Sequence, residues 1–386
     1  MENIENKKMV QNCCCGSANR DTGTCCPDVS LSESGAQRVD GIESPVTVTG
    51  MNAALSGTVP AVDTELTFSD RLGAWKVRWG IGRMRYHVKP GLYAVNNPDS
   101  QSPVLVTANY KLSFDAVRSQ LGGYPSWILV LDTKGVNVWC AAGKGTFGTG
   151  ELVARIDAVR LSQMVSHRTL VLPQLGASGI SAHEVKRLSG FRVVYGPVRA
   201  RDIPSFLDAG MKATPEMRRV RFTFYDRLVL IPVELVLSLK YVAGAALVFL
   251  LLSGLSREGF SVDRAVTDGI YAAMAIFAAS LGGTVVTPLL LPWIPGRAFS
   301  LKGLWVGLML AVLISIGFNG FGKGYLTIAA WFLIVPAIVS FLAMNFTGAT
   351  TFTSLSGVKK EVRLALPIQG TAAALGAVVW IAGRFI

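Results

Sequence analysis

The chain has 386 residues, 51% of them hydrophobic, with 37 Lys and Arg against 25 Asp and Glu and a formal net charge of +12. A mean hydropathy of +0.42 is too apolar for an ordinary soluble protein, and the length accommodates two or three units. The positive charge by itself would suit nucleic acid, but no basic run is interleaved with aromatics, so the composition argues for a membrane protein with basic flanks and against a nucleic-acid partner.

The first segment, residues 1–69, reads as a flexible head. It is rich in Ser, Thr, Gly, Asn and Asp and shows neither helical nor strand periodicity. Glu2 and Glu5, with no apolar core behind them, do not make a secretory signal. Five of the six cysteines lie here, Cys13, Cys14, Cys15, Cys25 and Cys26, without the C-x-x-C spacing of a zinc or iron–sulfur site. Two readings stay open: clustered thiols that capture a soft metal ion, and a dispensable extension.

Residues 70–226 form the expected soluble domain. Its lead-in, residues 70–98, carries Trp75, Lys76, Arg78, Trp79, Arg83, Arg85, Tyr86, His87 and Lys89, and is expected to pack on the folded domain with its cations on a solvated face. Short apolar runs at Val104–Ala108, Trp127–Leu131, Thr169–Leu172 and Arg192–Tyr195 lack polar alternation, as buried parallel strands do. Helical stretches alternate with them at Ser113–Leu121, Glu151–Val165, Ala182–Leu188 and Ile203–Ala209. The alternation predicts an α/β fold, a Rossmann-like open sheet that binds ligands outside the carboxyl ends of its strands.

Just past the second run comes Asn137-Val138-Trp139-Cys140-Ala141-Ala142-Gly143-Lys144, followed by Gly145-Thr146-Phe147-Gly148-Thr149-Gly150. Asn137 is a good N-cap, which puts Cys140 in the first turn of a helix, where free N–H groups favour a thiolate. A thiolate is both a nucleophile and a soft metal ligand. The small side chains behind it cannot hold off a large flat partner, although an inert core cysteine beside a Gly-rich turn reads from the same residues. Gly143-Lys-Gly145-Thr-Phe-Gly148 satisfies G-x-G-x-x-G but stands about eleven residues beyond its strand, and Gly145 occupies the place where a P-loop has Ser or Thr. His87, His167 and His183 match neither H-E-x-x-H nor D-x-H-x-x-G; His167 and His183 read as structural or pocket-lining.

From residue 227 to 386 the chain predicts an all-α transmembrane domain of about five helices, at 228–252, 268–292, 299–318, 325–345 and 364–383. With the soluble domain inside, the inner flanks hold Lys212, Arg218, Arg219, Arg221, Arg227, Arg297, Lys302, Lys359, Lys360 and Arg363, and the outer side only Arg257, Arg264, Lys323 and Arg384. The positive-inside rule then puts the soluble domain in the cytoplasm, the protein in the inner membrane and the C-terminus outside. Glu234 and Lys240 read as charges near one end of the first span, fitting an anchor better than a transport path.

The octet from Asn137 to Lys144 resembles, at all eight positions, the cap-helix motif N-(V/I)-W-C-A-A-G-K of the HgcA family, the membrane-bound corrinoid proteins of microbial mercury methylation. The likeness extends through Val104 to Tyr110, Trp127 to Thr133, Ser166-His167-Arg168, Leu172 to Gly176, Tyr195 to Ala200 and the hydrophobic tail, roughly residues 75–386. It implies a cobalt corrinoid (a cobalamin-type cofactor) with Cys140 as lower axial ligand, and a methyltransferase that passes a methyl group from methyl-Co(III) to Hg(II), forming methylmercury. Around the thiolate, Asn137 caps the helix, Trp139 fixes its packing, Ala141, Ala142 and Gly143 permit approach to the corrin, Lys144 is expected to pair with a corrin side chain, Thr146 is expected to make a polar contact, and Val138 and Gly145 complete the cofactor-binding stretch that the resemblance implies. Thr107, Asn109, Asp132 and Thr133 are added as polar contacts from their places near strand ends. The methyl group would come from a methyltetrahydrofolate system. The electrons would come from HgcB, a small ferredoxin-like 4Fe-4S partner and mercury donor, because the chain has no iron–sulfur cysteine run of its own. Two alternatives stand beside this: a methyl carrier of one-carbon metabolism resembling the corrinoid iron–sulfur protein large subunit, and a membrane sensor or transporter with a nucleotide-binding domain.

Overall fold

A computed structural model describes residues 48–54, 57–317, 324–346 and 355–386. The described chain divides into two compact units, one running to Val77 and over Ile81–Val220, the other taking Arg78–Gly80 and Arg221–Ile386.

The first unit is built on a seven-stranded sheet of order β1-β2-β3-β5-β4-β6-β7. The strands are β1 Val48–Ala54, β2 Gly57–Val62, β3 Gly91–Val95, β4 Val104–Ala108, β5 Ser126–Leu131, β6 Thr169–Leu172 and β7 Arg192–Tyr195. Strands β5, β4, β6 and β7 are mutually parallel, whereas β3 runs antiparallel to β5. The four apolar runs read as parallel strands are therefore the four parallel strands. The helices are α1 Phe68–Arg78, α2 Lys111–Arg118, α3 Val138–Lys144, α4 Thr149–Ala158, α5 Leu161–Met164, α6 Ala182–Ser189 and α7 Ile203–Asp208.

Side-chain alternation divides the core into two layers. Val106, Trp127, Leu129, Leu131 and Leu170 face Val138, Ala141, Phe147, Leu152 and Val185 of the α3, α4 and α6 side. Leu105, Ile128, Val130 and Val171 face Phe114, Ile203 and Phe206 of α2 and α7. Each of these aliphatic and aromatic side chains is nearly or fully buried, and such burial stabilises by about 1.5–3 kcal/mol per side chain.

Three expectations change. The segment 48–62, read as part of a structureless head, forms the β1–β2 hairpin, and β2 adds its edge to β3. Residues 91–95, read as lead-in, lie inside the sheet as β3, because pairing with β5 over five registered residues supplies the backbone partners that a short run cannot find locally. The stretch 151–165 is two helices, broken where Arg160 takes a left-handed conformation with φ of 49°.

The second unit carries five helices long and apolar enough to cross a membrane: Phe224–Ser253, Val262–Leu290, Phe299–Ile316, Gly324–Asn345 and Gly357–Ala382. Gly303 and Gly307, four apart on the third, bring its backbone against Ser340, Ala343 and Pro336 of the fourth; a Cβ on Gly307 would stand 2.5 Å from the Pro336 Cα. The second helix passes through a π-turn at Gly282–Val286, where Thr287 Oγ1 donates to the Gly282 carbonyl at 2.8 Å. Lys240 falls at the middle of Phe224–Ser253 and not near an end, with its ammonium 4.8 Å from the Tyr241 ring. Its long stem and exposed head fit snorkelling.

Candidate functional site

The parallel strands in chain order β4, β5, β6, β7 lie in the spatial order β5-β4-β6-β7, so the winding direction reverses between β4 and β6. That reversal is the switch point at which open α/β sheets bind ligands, outside the carboxyl ends of the strands. Asn109 follows β4, Asp132 and Thr133 follow β5, and Pro173 follows β6, so all four stand at this edge.

The loop from β5 into α3 is held from β4. The Asn109 backbone N–H donates to the Leu131 carbonyl at 3.0 Å. Its Oδ1 accepts from the Thr133 N–H at 3.1 Å, the Thr133 hydroxyl at 2.8 Å and the Gly135 N–H at 3.0 Å. Its Nδ2 donates to Asp132 at 3.3 Å. Asn109 and Thr133 are both buried, and this clamp uses their side chains fully. Asp132 receives the Lys134 ammonium at 2.5 Å and the Lys134 N–H at 3.1 Å, while its own N–H donates to Glu151 at 2.8 Å. Burial works against the Asp132 carboxylate, but the Lys134 contacts prevail and hold its pKa below the ordinary value.

The clamp delivers the chain to Asn137, whose side chain accepts the Cys140 N–H at 2.9 Å and starts α3 at Val138. Gly145, with φ of 82°, closes the helix in the left-handed conformation that glycine adopts without strain. Gly148 then caps α4, so the glycine run joins helix to helix and not strand to helix. This placement disposes of the dinucleotide fingerprint.

A helix as short as α3 has two usable faces. Val138, Ala141 and Ala142 are buried. Ala142 lies against Gly179, where any Cβ would collide with the Phe147 carbonyl, and a Cβ on Gly176 would stand 2.5 Å from the Phe147 ring. The small side chain of Ala142 therefore admits the turn after β6, and Ala141 is buried on the same side of the helix, so the residues expected to admit a corrin face the protein interior. The opposite face carries Trp139 and Cys140, both half-buried, with Gly143 and Lys144 exposed. Gly143 is one turn from Cys140 on this face and is exposed, whereas Cys140 is half-buried.

Other residues fall elsewhere. Thr107, buried at 1% exposure, follows Leu105 by two and so shares the α2 side of the sheet, away from α3. Thr146 is half-buried, its hydroxyl 3.4 Å from the Ala141 carbonyl. His167 lies at the opposite edge, with Nε2 2.9 Å from the Ser102 carbonyl and Nδ1 receiving the Thr169 N–H at 3.3 Å. Its two ring nitrogens are thus engaged in structure. His183 bonds Ser181 at the start of α6. Cys13, Cys14, Cys15, Cys25 and Cys26 lie outside the described residues, among which no group of three or more metal-ligating side chains occurs.

Pattern reading missed the turn Pro173–Ile180 as the second wall of the site. Gln174 in that turn keeps its Oε1 buried without a protein donor, and Tyr195 donates to the Ile180 carbonyl at 3.0 Å. The only available signal was the spacing of Gly176 and Gly179, whose purpose becomes visible once Phe147 is seen against them.

Comparison with known proteins finds a likeness over this part of the chain. Residues 82–207 match the family described as CO dehydrogenase/acetyl-CoA synthase delta subunit. The acetyl-CoA decarbonylase/synthase complex subunit gamma of Archaeoglobus fulgidus is 34% identical over 128 residues, 33% of this chain and 27% of the relative. The same subunit of Methanopyrus kandleri is 36% identical over 124 residues, 31% and 26% of the two chains. The corrinoid/iron-sulfur protein large subunit of Moorella thermoacetica is 29% identical over 126 residues, 32% and 28%. The chain spans about a quarter of the length of these relatives, and the shared region contains β4 to β7 and α3.

Proposed function

We propose that this protein is a membrane-attached corrinoid methyltransferase in which Cys140 is the axial ligand to cobalt. The observation that carries the reading is the placement of one half-buried thiol on the open face of α3, at the carboxyl edge of a sheet whose sequence is similar to that of a corrinoid protein. A bound corrinoid supplies a cobalt centre that takes up and gives away a methyl group. The residues present fit it: a soft sulfur donor, a neighbouring glycine without Cβ, an exposed cation at Lys144, and at Gln174 a buried acceptor suited to an amide N–H of the corrin rim.

The protein's own contribution is positional. Asn109 fixes the loop, Asn137 orients the first turn and ties down the Cys140 N–H, and the turn after β6 backs the helix so that the thiol cannot retreat. Thr133 and Asp132 act through this scaffold, and Thr107 has no part in it. Cys140 would hold the cobalt of such a cofactor as a strongly donating sulfur ligand, and that donation would favour methyl transfer to an electrophile.

The acceptor proposed is Hg(II), on the strength of the Asn137–Lys144 octet. A second reading, a methyl carrier of one-carbon metabolism, is favoured by the printed names of the relatives, which are subunits of acetyl-CoA-forming complexes. Those names support it more directly than they support mercury. Either reading requires an external electron donor and methyl donor, for which the ferredoxin-like HgcB and a methyltetrahydrofolate system are the candidates.

The deciding experiment reconstitutes the full chain with a corrinoid and compares its visible spectrum with that of Cys140→Ala, then supplies Hg(II) to the methylated protein. Loss of the thiolate signature in the variant and production of methylmercury by the parent are expected; Cys140→His retains cobalt and a fraction of the activity. Identical spectra for parent and Cys140→Ala would remove the ligand assignment. An intact signature without methylmercury would leave the one-carbon reading standing.

A further inference from the structure

We infer that α1 is an interfacial helix whose outer face lies in the headgroup region of an anionic lipid surface. At 100° per residue, Phe68, Leu72, Trp75 and the following Trp79 fall within one narrow stripe. All four are solvent-exposed, Phe68 at 80% and Trp75 at 55%, and Ile81 at 58% and Met84 at 67% extend the apolar surface past the helix end. A water-soluble domain seldom presents six large apolar side chains in one place without a use for them.

The inner side of the same helix is fully committed. Asp70 and Val77 are buried, and Gly73 is so close to Tyr86 that a Cβ would stand 2.6 Å from its hydroxyl. The outward stripe therefore cannot turn inward. Arg71 and Arg78 border it on one side and Lys76 on the other, all exposed. With Arg83, Arg85 and Lys89 they outnumber the acids of this segment, since Asp63 and Glu65 are exposed but Asp70 is internally paired.

An apolar stripe of Phe, Leu and Trp flanked by Arg and Lys is the chemistry of a helix that sinks its apolar face to the acyl boundary and holds its cations at lipid phosphates. A folded partner would have to bury the same flanking cations, whereas a lipid surface leaves them at the phosphate level. Arg78, Trp79 and Gly80 group with the membrane-spanning unit, and the atoms nearest a Cβ at Gly80 belong to Val236 and Val233 of the first span. This inference does not depend on the cofactor reading.

The test places the full chain in vesicles of phosphatidylcholine and phosphatidylglycerol and records tryptophan fluorescence for the parent and for Trp75→Phe/Trp79→Phe. The difference between them isolates these two residues from the other six tryptophans. Phosphatidylcholine brominated near the carbonyl end of its chains is expected to reduce that difference signal at least about twofold, with aqueous iodide nearly without effect. Replacing phosphatidylglycerol by phosphatidylcholine weakens the bromine quenching, and Arg71→Gln/Lys76→Gln/Arg78→Gln removes that dependence on lipid charge. A difference signal quenched by iodide and not by bromine overturns the inference, as does one shielded from both quenchers. The single variants Trp75→Phe and Trp79→Phe repeat the measurement should the double variant insert poorly.

Discussion

At the scale of single residues, the site depends on a few side chains with no substitute. Asn109 Oδ1 accepts two backbone N–H groups, so Asn109→Leu leaves the Thr133 and Gly135 N–H groups to find new partners, while the Thr133 hydroxyl keeps the Val136 carbonyl at 2.6 Å. Each buried donor so orphaned costs about 1–3 kcal/mol. The expected outcome is a melting transition of the soluble unit lowered by several degrees and loss of corrinoid retention, read by calorimetry and by absorbance after gel filtration. An unchanged transition would show that the loop holds itself. Gly145→Ala is milder, about 1 kcal/mol, because it forces an L-residue to a φ of 82° without any collision. The sequence disclosed Asn137 as the helix cap and Cys140 in the first turn behind it, since an N-cap is a local rule. The burial of Thr107, Ala141 and Ala142 was not legible, because which face of an element meets a neighbour such as Gly179 is settled by packing that no local pattern records.

At the scale of elements, the four parallel strands were legible as short apolar runs, and five membrane spans as long ones, because both signals reside within a segment. Strands β2 and β3 were not legible, since their reason to be extended is the neighbour across the sheet. The same holds for the buried charges that join α1 to α2. Lys111 donates to Asp70 at 2.5 Å and to Asp115 at 2.7 Å, and Arg118 to Asp115 at 2.7 Å and Asp70 at 2.8 Å, all four residues nearly inaccessible. Arg118 also donates to the carbonyls of Asp63 and Glu65, which ties the segment after β2 to the domain. Removing one member of such a set strands a buried charge, so Lys111→Met costs about 3–5 kcal/mol by calorimetry, and a smaller loss would mean the cluster relaxes into solvent. Burial alone would raise the Asp70 pKa, but the Lys111 and Thr67 hydrogen bonds outweigh it and set the value at about 2 against 3.8 unfolded. A depressed carboxyl pKa contributes stability that is complete above about pH 3.8 and disappears as pH falls towards 2. Acid titration of unfolding is expected to show this loss in the parent and not in Asp70→Asn, which is destabilised throughout.

At the scale of the whole molecule, the number of spans constrains sidedness. Five helices are long and apolar enough to cross, and five crossings would put the residues before the first helix and those after the last on opposite faces, whatever the orientation. The loops then decide between two arrangements. Cations concentrate on the flanks that share a side with the first unit, from Lys212 to Arg227, at Arg297 and Lys302, and from Lys359 to Arg363, while Arg257, Arg264, Lys323 and Arg384 stand on the other. Arg384 is in addition neutralised by Asp268 at 2.7 Å, with side-chain exposures of 16% and 11%, which lowers its weight as a free charge further. The prediction is that the soluble unit and all six native cysteines face the cytoplasm and Ile386 faces out. In right-side-out vesicles a membrane-impermeant maleimide leaves the parent chain unlabelled and labels Ile386→Cys; in inverted vesicles the parent is labelled and Ile386→Cys gains nothing further. Labelling of the parent from outside would reverse the orientation and place the proposed site on the face away from cytoplasmic methyl and electron donors. Protection of Ile386→Cys in right-side-out vesicles together with one added label over the parent in inverted vesicles would count against an odd number of crossings and reopen the count itself.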